Sequence, residues 1–303
     1  MDTNRLKNTF IMILLLLNAV MFFFIWQESR ANIRAVTRER YTAITNLLNS
    51  HGITLNWNIE DSAVLPMHTI RMEPFDFNVM HEMFLEMSNL GFPGISETEN
   101  NSVIFEADRD SLRANSTASI TSLAEAEAVA FIFLHEMEAR SGITLNFRIE
   151  STSTVYNEYG EINYVLRFVS FFNDMPVVTN VAVFTVGYYG IEHKRIFLAS
   201  TIELSDGTQN IRAADEALLT VMQVLLCPIR YDDVQSIIIT RHDMVYYYIQ
   251  NNNRITTAWP AHRFFMVITK DVGGEPVNLT VSKFIDAATN TDVTGELFDE
   301  RWR

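Results

Sequence analysis

The sequence predicts an α+β protein, with an N-terminal transmembrane helix followed by two helix-plus-antiparallel-sheet modules. Three observations predict it. Residues 9–26 (TFIMILLLLNAVMFFFIW) carry no charge and no proline. Alternating apolar and polar residues, which mark strands with one buried face, recur from residue 53 to residue 285. Helical periodicity interrupts them only a few times, and runs of strands with a helix laid on one face imply a mostly antiparallel sheet.

As a helix, residues 9–26 would reach about 27 Å, close to the hydrocarbon thickness of a bilayer. A secretory signal peptide is the rival reading, but its apolar run is usually about 7–15 residues and ends in a small-x-small site. Here the run is longer, an arginine interrupts Ser29-Arg30-Ala31, and no cysteine stands nearby to take a lipid. An uncleaved anchor is therefore expected. Arg5 and Lys7 precede it, while Arg30, Arg34, Arg38 and Arg40 follow, partly offset by Glu28 and Glu39. Counting flank positives alone would put the C-terminal side in the cytoplasm. Large domains, however, translocate largely regardless of charge, and a basic N-terminus before a single anchor usually stays inside. The expectation is a cytoplasmic N-terminus and an extracytoplasmic C-terminal domain.

Beyond the anchor, residues 27–50 repeat apolar positions at helical spacing, with Gly52 placed to stop the helix. Residues 53–59 alternate as a strand, and a short strand follows at 67–72. Residues 75–90 carry Phe75, Val79, Met83, Met87 and Leu90 on one helical face, and Val103-Ile104-Phe105 forms a strand. The polar stretch 108–119 reads as a linker. Ser122-Leu123-Ala124-Glu125 fits a capping box, opening a helix that runs to about Arg140 and stops at Gly142. Residues 142–150 (GITLNFRIE) then match residues 52–60 (GITLNWNIE) at seven of nine positions, each copy directly after a helix. Shared context favours a duplicated module over chance similarity.

From residue 162 the pattern is a meander: strands at 164–172, 177–188 and 191–204, with Asn173-Asp174-Met175-Pro176 and Gly190 at turns and Ser205-Asp206-Gly207 closing the third. Asn210 can cap a helix over 211–226, with Asp215 and Glu216 near its positive end. Strands follow at 234–249, 262–269 and 277–285. The domain boundaries are thus 1–8, a short cytoplasmic N-terminus; 9–26, the transmembrane helix; 27–50, a juxtamembrane helix; 51–107, a small α+β module; 108–119, the linker; and 120–303, a larger α+β module.

Composition and motifs exclude much chemistry. A net charge of −14 argues against nucleic acid and anionic lipid surfaces. One cysteine, Cys227, excludes a disulfide framework and a Cys-rich zinc site. His81-Glu82 and His135-Glu136 each begin like a zinc-peptidase motif, but Leu85 and Ala139 occupy the second ligand position. Arg241-His242-Asp243 has no glycine-rich loop or Asp-Phe-Gly to make it a kinase catalytic loop. Tyr246-Tyr247-Tyr248 alternates between sheet faces, as core plus surface. No cofactor or metal is expected, and none of these motifs for catalysis is complete.

Several segments, taken in order, resemble the YycI/YycH-type regulators of a Gram-positive cell-wall two-component system. They are Asn4-Arg5-Leu6-Lys7 running into Phe10-Ile11 and Leu17-Asn18; Phe171-Phe172-Asn173-Asp174-Met175-Pro176-Val177-Val178; the helix Ala213-Ala214-Asp215-Glu216-Ala217-Leu218, similar also to PepSY-type modules; Trp259-Pro260-Ala261-His262-Arg263-Phe264; and Phe284-Ile285-Asp286-Ala287-Ala288-Thr289. The family commonly has Pro-Ala-Trp, where this chain has Trp259 before the proline and His262 after Ala261. The resemblance implies a membrane-anchored extracytoplasmic protein that contacts a sensor histidine kinase and a second membrane-anchored regulator. Asn18 would make the transmembrane contact, since an amide in hydrocarbon seeks an interhelical hydrogen bond. Trp259 and His262 are candidates for a domain-surface contact. Two alternatives stay open: a PepSY-like inhibitory or binding module for an exported peptidase or cell-wall ligand, and a wall hydrolase without a familiar motif.

Overall fold

Gly52 and Gly142 both adopt left-handed backbone, with φ of 75° and 69°, and each stops a helix where the sequence places the stop. The computed structural model describes residues 38–57, 66–74, 95–99, 102–107, 109–116, 119–142, 146–197, 199–225, 234–248 and 256–297, together with Met21, Glu82, Met83 and Thr144. Helix α1 spans Arg38–Ser50, and β1 (Ile53–Leu55), β2 (Met67–Pro74), β3 (Ile95–Glu99) and β4 (Ser102–Glu106) follow. Helices α2 (Arg109–Asn115) and α3 (Leu123–Ser141) precede β5 (Phe147–Tyr156), β6 (Ile162–Phe172), β7 (Met175–Gly187), β8 (Gly190–Phe197) and β9 (Ala199–Gln209). Helix α4 (Ala214–Leu225) leads into β10 (Val234–Tyr247), β11 (Thr256–Val272), β12 (Glu275–Asp286) and the short α5 (Thr294–Leu297).

These strands join one twelve-stranded sheet, and this overturns the expected pair of helix-plus-sheet modules. Strands hold more than half of the described residues. The strands expected to form a small module of their own are dispersed through the sheet: β1 pairs parallel with β10, β2 antiparallel with β9 and β11, and β4 antiparallel with β8. The physical reason is edge pairing. Short strands leave backbone amides unsatisfied, and the long strands of the C-terminal segment offer the ladders that satisfy them. The expected N-terminal transmembrane helix is also unsupported. Among the described residues no helix is long and apolar enough to cross a membrane, and residues 9–26, Met21 excepted, lie outside those described.

Other expectations shift in detail. Residues 109–115 form α2 rather than part of a linker, with Leu112 buried. The single strand expected over 191–204 is two strands, and β9 continues through Ser205-Asp206-Gly207 instead of ending there. The duplicated segment does not produce duplicated structure. Ile53–Leu55 is a parallel strand on β10, whereas in the second copy the strand begins only at Phe147 and pairs antiparallel with β6. What the copies share is the preceding helix and its glycine stop.

Two layers of core follow from the alternation. Helix α3 opens with the expected capping box between Ser122 and Glu125. Its Phe133 meets Phe184 edge to face at 5.5 Å, and Phe184 meets Phe168 in the same way. On the other half of the sheet, α1 and α4 cover β1, β10 and β11, burying Leu48, Leu218, Val221, Phe264 and Met266. The halves join where β7 bulges. Opposite Val169 and Ser170 of β6, β7 jumps from Val181 to Val177, and Val177 pairs with Tyr246 of β10.

Candidate functional site

The joint between the half-sheets carries a cluster of buried polar groups. Strand alternation should send Tyr246, Tyr247 and Tyr248 to opposite faces, one wet. All three are buried instead, at 2%, 4% and 6% exposure, because both faces are covered where the halves meet. Each hydroxyl therefore needs a partner. Tyr246 donates to the His68 carbonyl at 2.9 Å, Tyr247 to Asp286 Oδ2 at 2.6 Å, and Tyr248 to the Thr179 carbonyl at 3.2 Å. Asp286 is held by its own turn, its Oδ1 accepting from the amides of Ala288 and Thr289.

One turn of strand away, on the helix-covered face, His242 Nε2 lies 2.9 Å from His262 Nδ1, and His262 Nε2 lies 3.0 Å from the Arg212 carbonyl just before α4. A carbonyl only accepts, which assigns the proton on His262 to Nε2 and makes His242 Nε2 the donor between the rings. Trp57 and Phe264 pack against His242 at 4.9 Å and 5.0 Å between ring centres. Burial pushes His242 down to about 3 and His262 down to about 4. Both rings are neutral at physiological pH.

On the opposite face, ions bridge the half-sheets. Glu150, on a bulge of β5, accepts from Arg167 Nε at 2.6 Å and from Arg263 of β11; Arg263 also donates to Asp243 at 3.1 Å, and Asp243 accepts from Arg241 at 2.6 Å. Burial alone would raise Glu150, but Arg167 and Arg263 outweigh it and hold its carboxyl below the usual range. A third ionic contact fixes α1. Arg40 Nε pairs with Asp215, which is fully buried in the first turn of α4, and Arg40 also reaches Glu216 at 3.4 Å. Burial raises Asp215, and Arg40 offsets part of the rise.

Two ionisable groups escaped sequence reasoning. Lys194, in the alternating run of β8, is 1% exposed, with its ammonium 3.8 Å from the Phe105 ring centre and 4.2 Å from that of Phe133. Burial lowers it to about 7. Glu192 is raised, chiefly by burial, and accepts from the buried Asn163 at 2.5 Å. The only sequence signal for Lys194 was its parity: it shares a face with Ile196 but not with His193.

No protein-family model matches this chain, and no curated protein matches it. Among solved structures, it is similar to the crystal structure of an uncharacterized protein from Eubacterium rectale ATCC 33656. The two are 14% identical, with a TM-score of 0.47, over 80% of this chain and 90% of that chain.

Of the residues singled out from sequence, Asn18 lies outside the described residues, as do Cys227 and His81. His262 is 2% exposed, inside the joint and not on a surface. Trp259 is half-buried, 6.1 Å from Tyr247 between ring centres. Trp259 stands half-buried on the face of β11 that it shares with Tyr247 and Asp286, and His262 is buried on the other face beside His242. His135 is exposed, with Nδ1 3.3 Å from Glu138. Among the described residues, no three or more histidine, cysteine, aspartate or glutamate side chains gather to hold a metal ion.

Proposed function

We propose that this protein is an extracytoplasmic regulator of a cell-envelope two-component system, held at the membrane through residues 9–26. It acts by contact with a sensor histidine kinase and a second membrane-anchored regulator, not by catalysis. The observation that carries the reading is the docking of α1 on the sheet domain. Helix α1 follows the apolar N-terminal run in sequence, and it is locked to α4 by Arg40 against the buried Asp215 and to β1 through Leu48 and Ile53. A helix fixed in this way can pass a change in the domain to whatever its N-terminal extension touches. Asn18 would supply a polar contact on that extension.

The test is co-purification of crosslinked partners from native membranes, using the full chain and a fragment of residues 1–50 side by side. A histidine kinase retained by both supports the reading and assigns the contact to the N-terminal segment. If neither retains a kinase, the reading fails.

A further inference from the structure

At one corner of the sheet, β6, β7 and β8 bring an amide and a carboxyl face to face. A register shift between β7 and β8 after Thr185 sets Glu192 on a bulge, and Asn163 Nδ2 of β6 donates to its Oε2 at 2.5 Å. The remaining two oxygens, Asn163 Oδ1 and Glu192 Oε1, both turn over Gly187, where a Cβ would collide with the Glu192 carboxyl and lie 3.1 Å from Oδ1. Asn163 is 4% exposed, and its Oδ1 is sealed from solvent with no hydrogen-bond partner. A buried acceptor left in this way is costly. Turning the amide over does not help, since a carboxylate offers acceptors to both ends and an amide donates from one. A carboxylic acid does: its O–H donates to Oδ1 while its carbonyl accepts from Nδ2. A metal ion could also sit between the two oxygens. Both oxygens of the neighbouring Glu161 are taken, however, by Arg109 at 2.6 Å and Asn157 at 3.1 Å, so a cation would find two side-chain oxygens where calcium takes about six to eight.

We propose that one proton, carried on Glu192 Oε1 and donated to Asn163 Oδ1, clasps this corner shut, and that its loss frees the β7–β8 turn and α2. Three segments tie in here. The Glu192 carbonyl accepts from the Ala107 N–H at 2.8 Å, just before α2, and the Tyr188 carbonyl accepts from the Ile120 N–H at 2.8 Å, just before α3. Leu112 of α2 lies against Gly190, its Cδ2 3.4 Å from where a Cβ would stand. Without the proton, a carboxylate oxygen faces Oδ1, acceptor against acceptor. Glu192 is half-buried and can swing to water, which uncovers Gly187 and loosens the turn. Among the described residues, the charges that act on Glu192 are Glu161, just before β6, and Arg109 of α2, which pairs with Glu161. Burial raises Glu192 above the ordinary 4.5; Glu161 adds to the rise, and the Asn163 bond and Arg109 oppose it. With the folded value above the unfolded one, the clasp is complete below 4.5 and is lost as pH rises through the folded value. The clasp stands apart from the kinase reading.

The test uses the full chain in detergent beside its Glu192→Gln variant, which keeps the clasp closed at every pH because the new amide donates where the acid would. The infrared spectrum of the parent minus that of the variant should show a protonated-carboxyl stretch at pH 5 that disappears as pH rises. Hydrogen exchange at the Ala107 and Ile120 amides, each divided by the variant's at the same pH, should accelerate by up to about tenfold per pH unit above 4.5, until the folded acid has also lost its proton. Gly187→Ala, whose methyl displaces the carboxyl, should lift exchange at pH 5 to the level the parent reaches at pH 8. A difference spectrum without that stretch at pH 5, or an exchange ratio equal at pH 5 and pH 8, would overturn the proposal. So would a Gly187→Ala chain as protected as the parent at pH 5. Protection that calcium ions restore at pH 8 in the parent but not in the variant would also overturn it, by making the pair a cation site.

Discussion

His242 Nε2 and His262 Nδ1 face each other at 2.9 Å across β10 and β11, and the chain of hydrogen bonds ends on the Arg212 carbonyl. This pairing sets an acid limit on the fold. Unfolded histidines titrate near 6.5, whereas in the folded protein burial lowers His242 to about 3 and His262 to about 4. Below pH 6.5 the unfolded chain binds more protons than the folded one, so stability is full above that value and falls as pH drops toward 4. The slope reaches about 1.4 kcal/mol per pH unit for each ring. Urea unfolding at pH 7 and pH 5 measures it, and a His242→Phe/His262→Phe double variant should flatten the decline.

Arg40→Ala should destabilise the protein by about 2–3 kcal/mol at pH 7, because it leaves the Asp215 carboxylate buried without its cation. This is less than the roughly 3–5 kcal/mol of a fully buried pair, since Arg40 is 41% exposed. Burial already raises Asp215, and losing Arg40 raises it further. A raised carboxyl binds its proton more tightly when folded, so the deficit should shrink as pH falls from 7 to 5. Denaturant midpoints across that range decide it; a constant deficit would count against the ion pair.

Lys194 is an inverse case. Its folded value of about 7 lies below the ordinary 10.5. Between those values the unfolded chain holds the extra proton, so stability rises with pH through this window. Lys194→Met keeps the volume and removes the buried amine. It should raise the melting temperature at pH 7, by roughly 1–3 kcal/mol of added stability, with the gain vanishing by pH 10.5.

Glu150→Ala strips both Arg167 and Arg263 of a shared carboxylate. Arg263 is 6% exposed and keeps Asp243 as a partner, so a loss of about 3 kcal/mol, the low end for a broken buried pair, is expected. Asp174→Asn serves as the control. It removes the charge from an exposed pair with Arg148, keeps a residue type that tolerates the left-handed backbone there (φ 62°), and should cost less than about 1 kcal/mol. Thermal unfolding of the two variants in parallel makes the comparison.

Local signals in the sequence were legible where a few neighbouring residues decide the outcome. The Ser122–Glu125 capping box, the helix stops at Gly52 and Gly142, and the Asn173-Asp174 turn all appear in the structure as the residues imply. The alternation does not persist along every strand: β7 is buried over most of its length, and β12 runs from exposed at Glu275 to buried at Asp286. The candidate site was legible only as residue names. Trp259 and His262 were singled out as surface candidates; the structure buries His262 beside His242, a partner that no local pattern names, and leaves Trp259 half-buried.

By itself the sequence determined where α1 and α3 stop, how α3 is capped and where the central strands lie, because capping, periodicity and composition act over a few residues. Only the tertiary structure decided that the strands form one sheet, that all three adjacent tyrosines are buried, and that His242 meets His262 and Arg40 meets Asp215. Those outcomes depend on which edges pair and which faces are covered twice. Such choices are made between residues far apart in the chain, at the bulge of β7 and in the shared ladders of β10 and β11, and alternation alone specifies a buried face without saying what buries it.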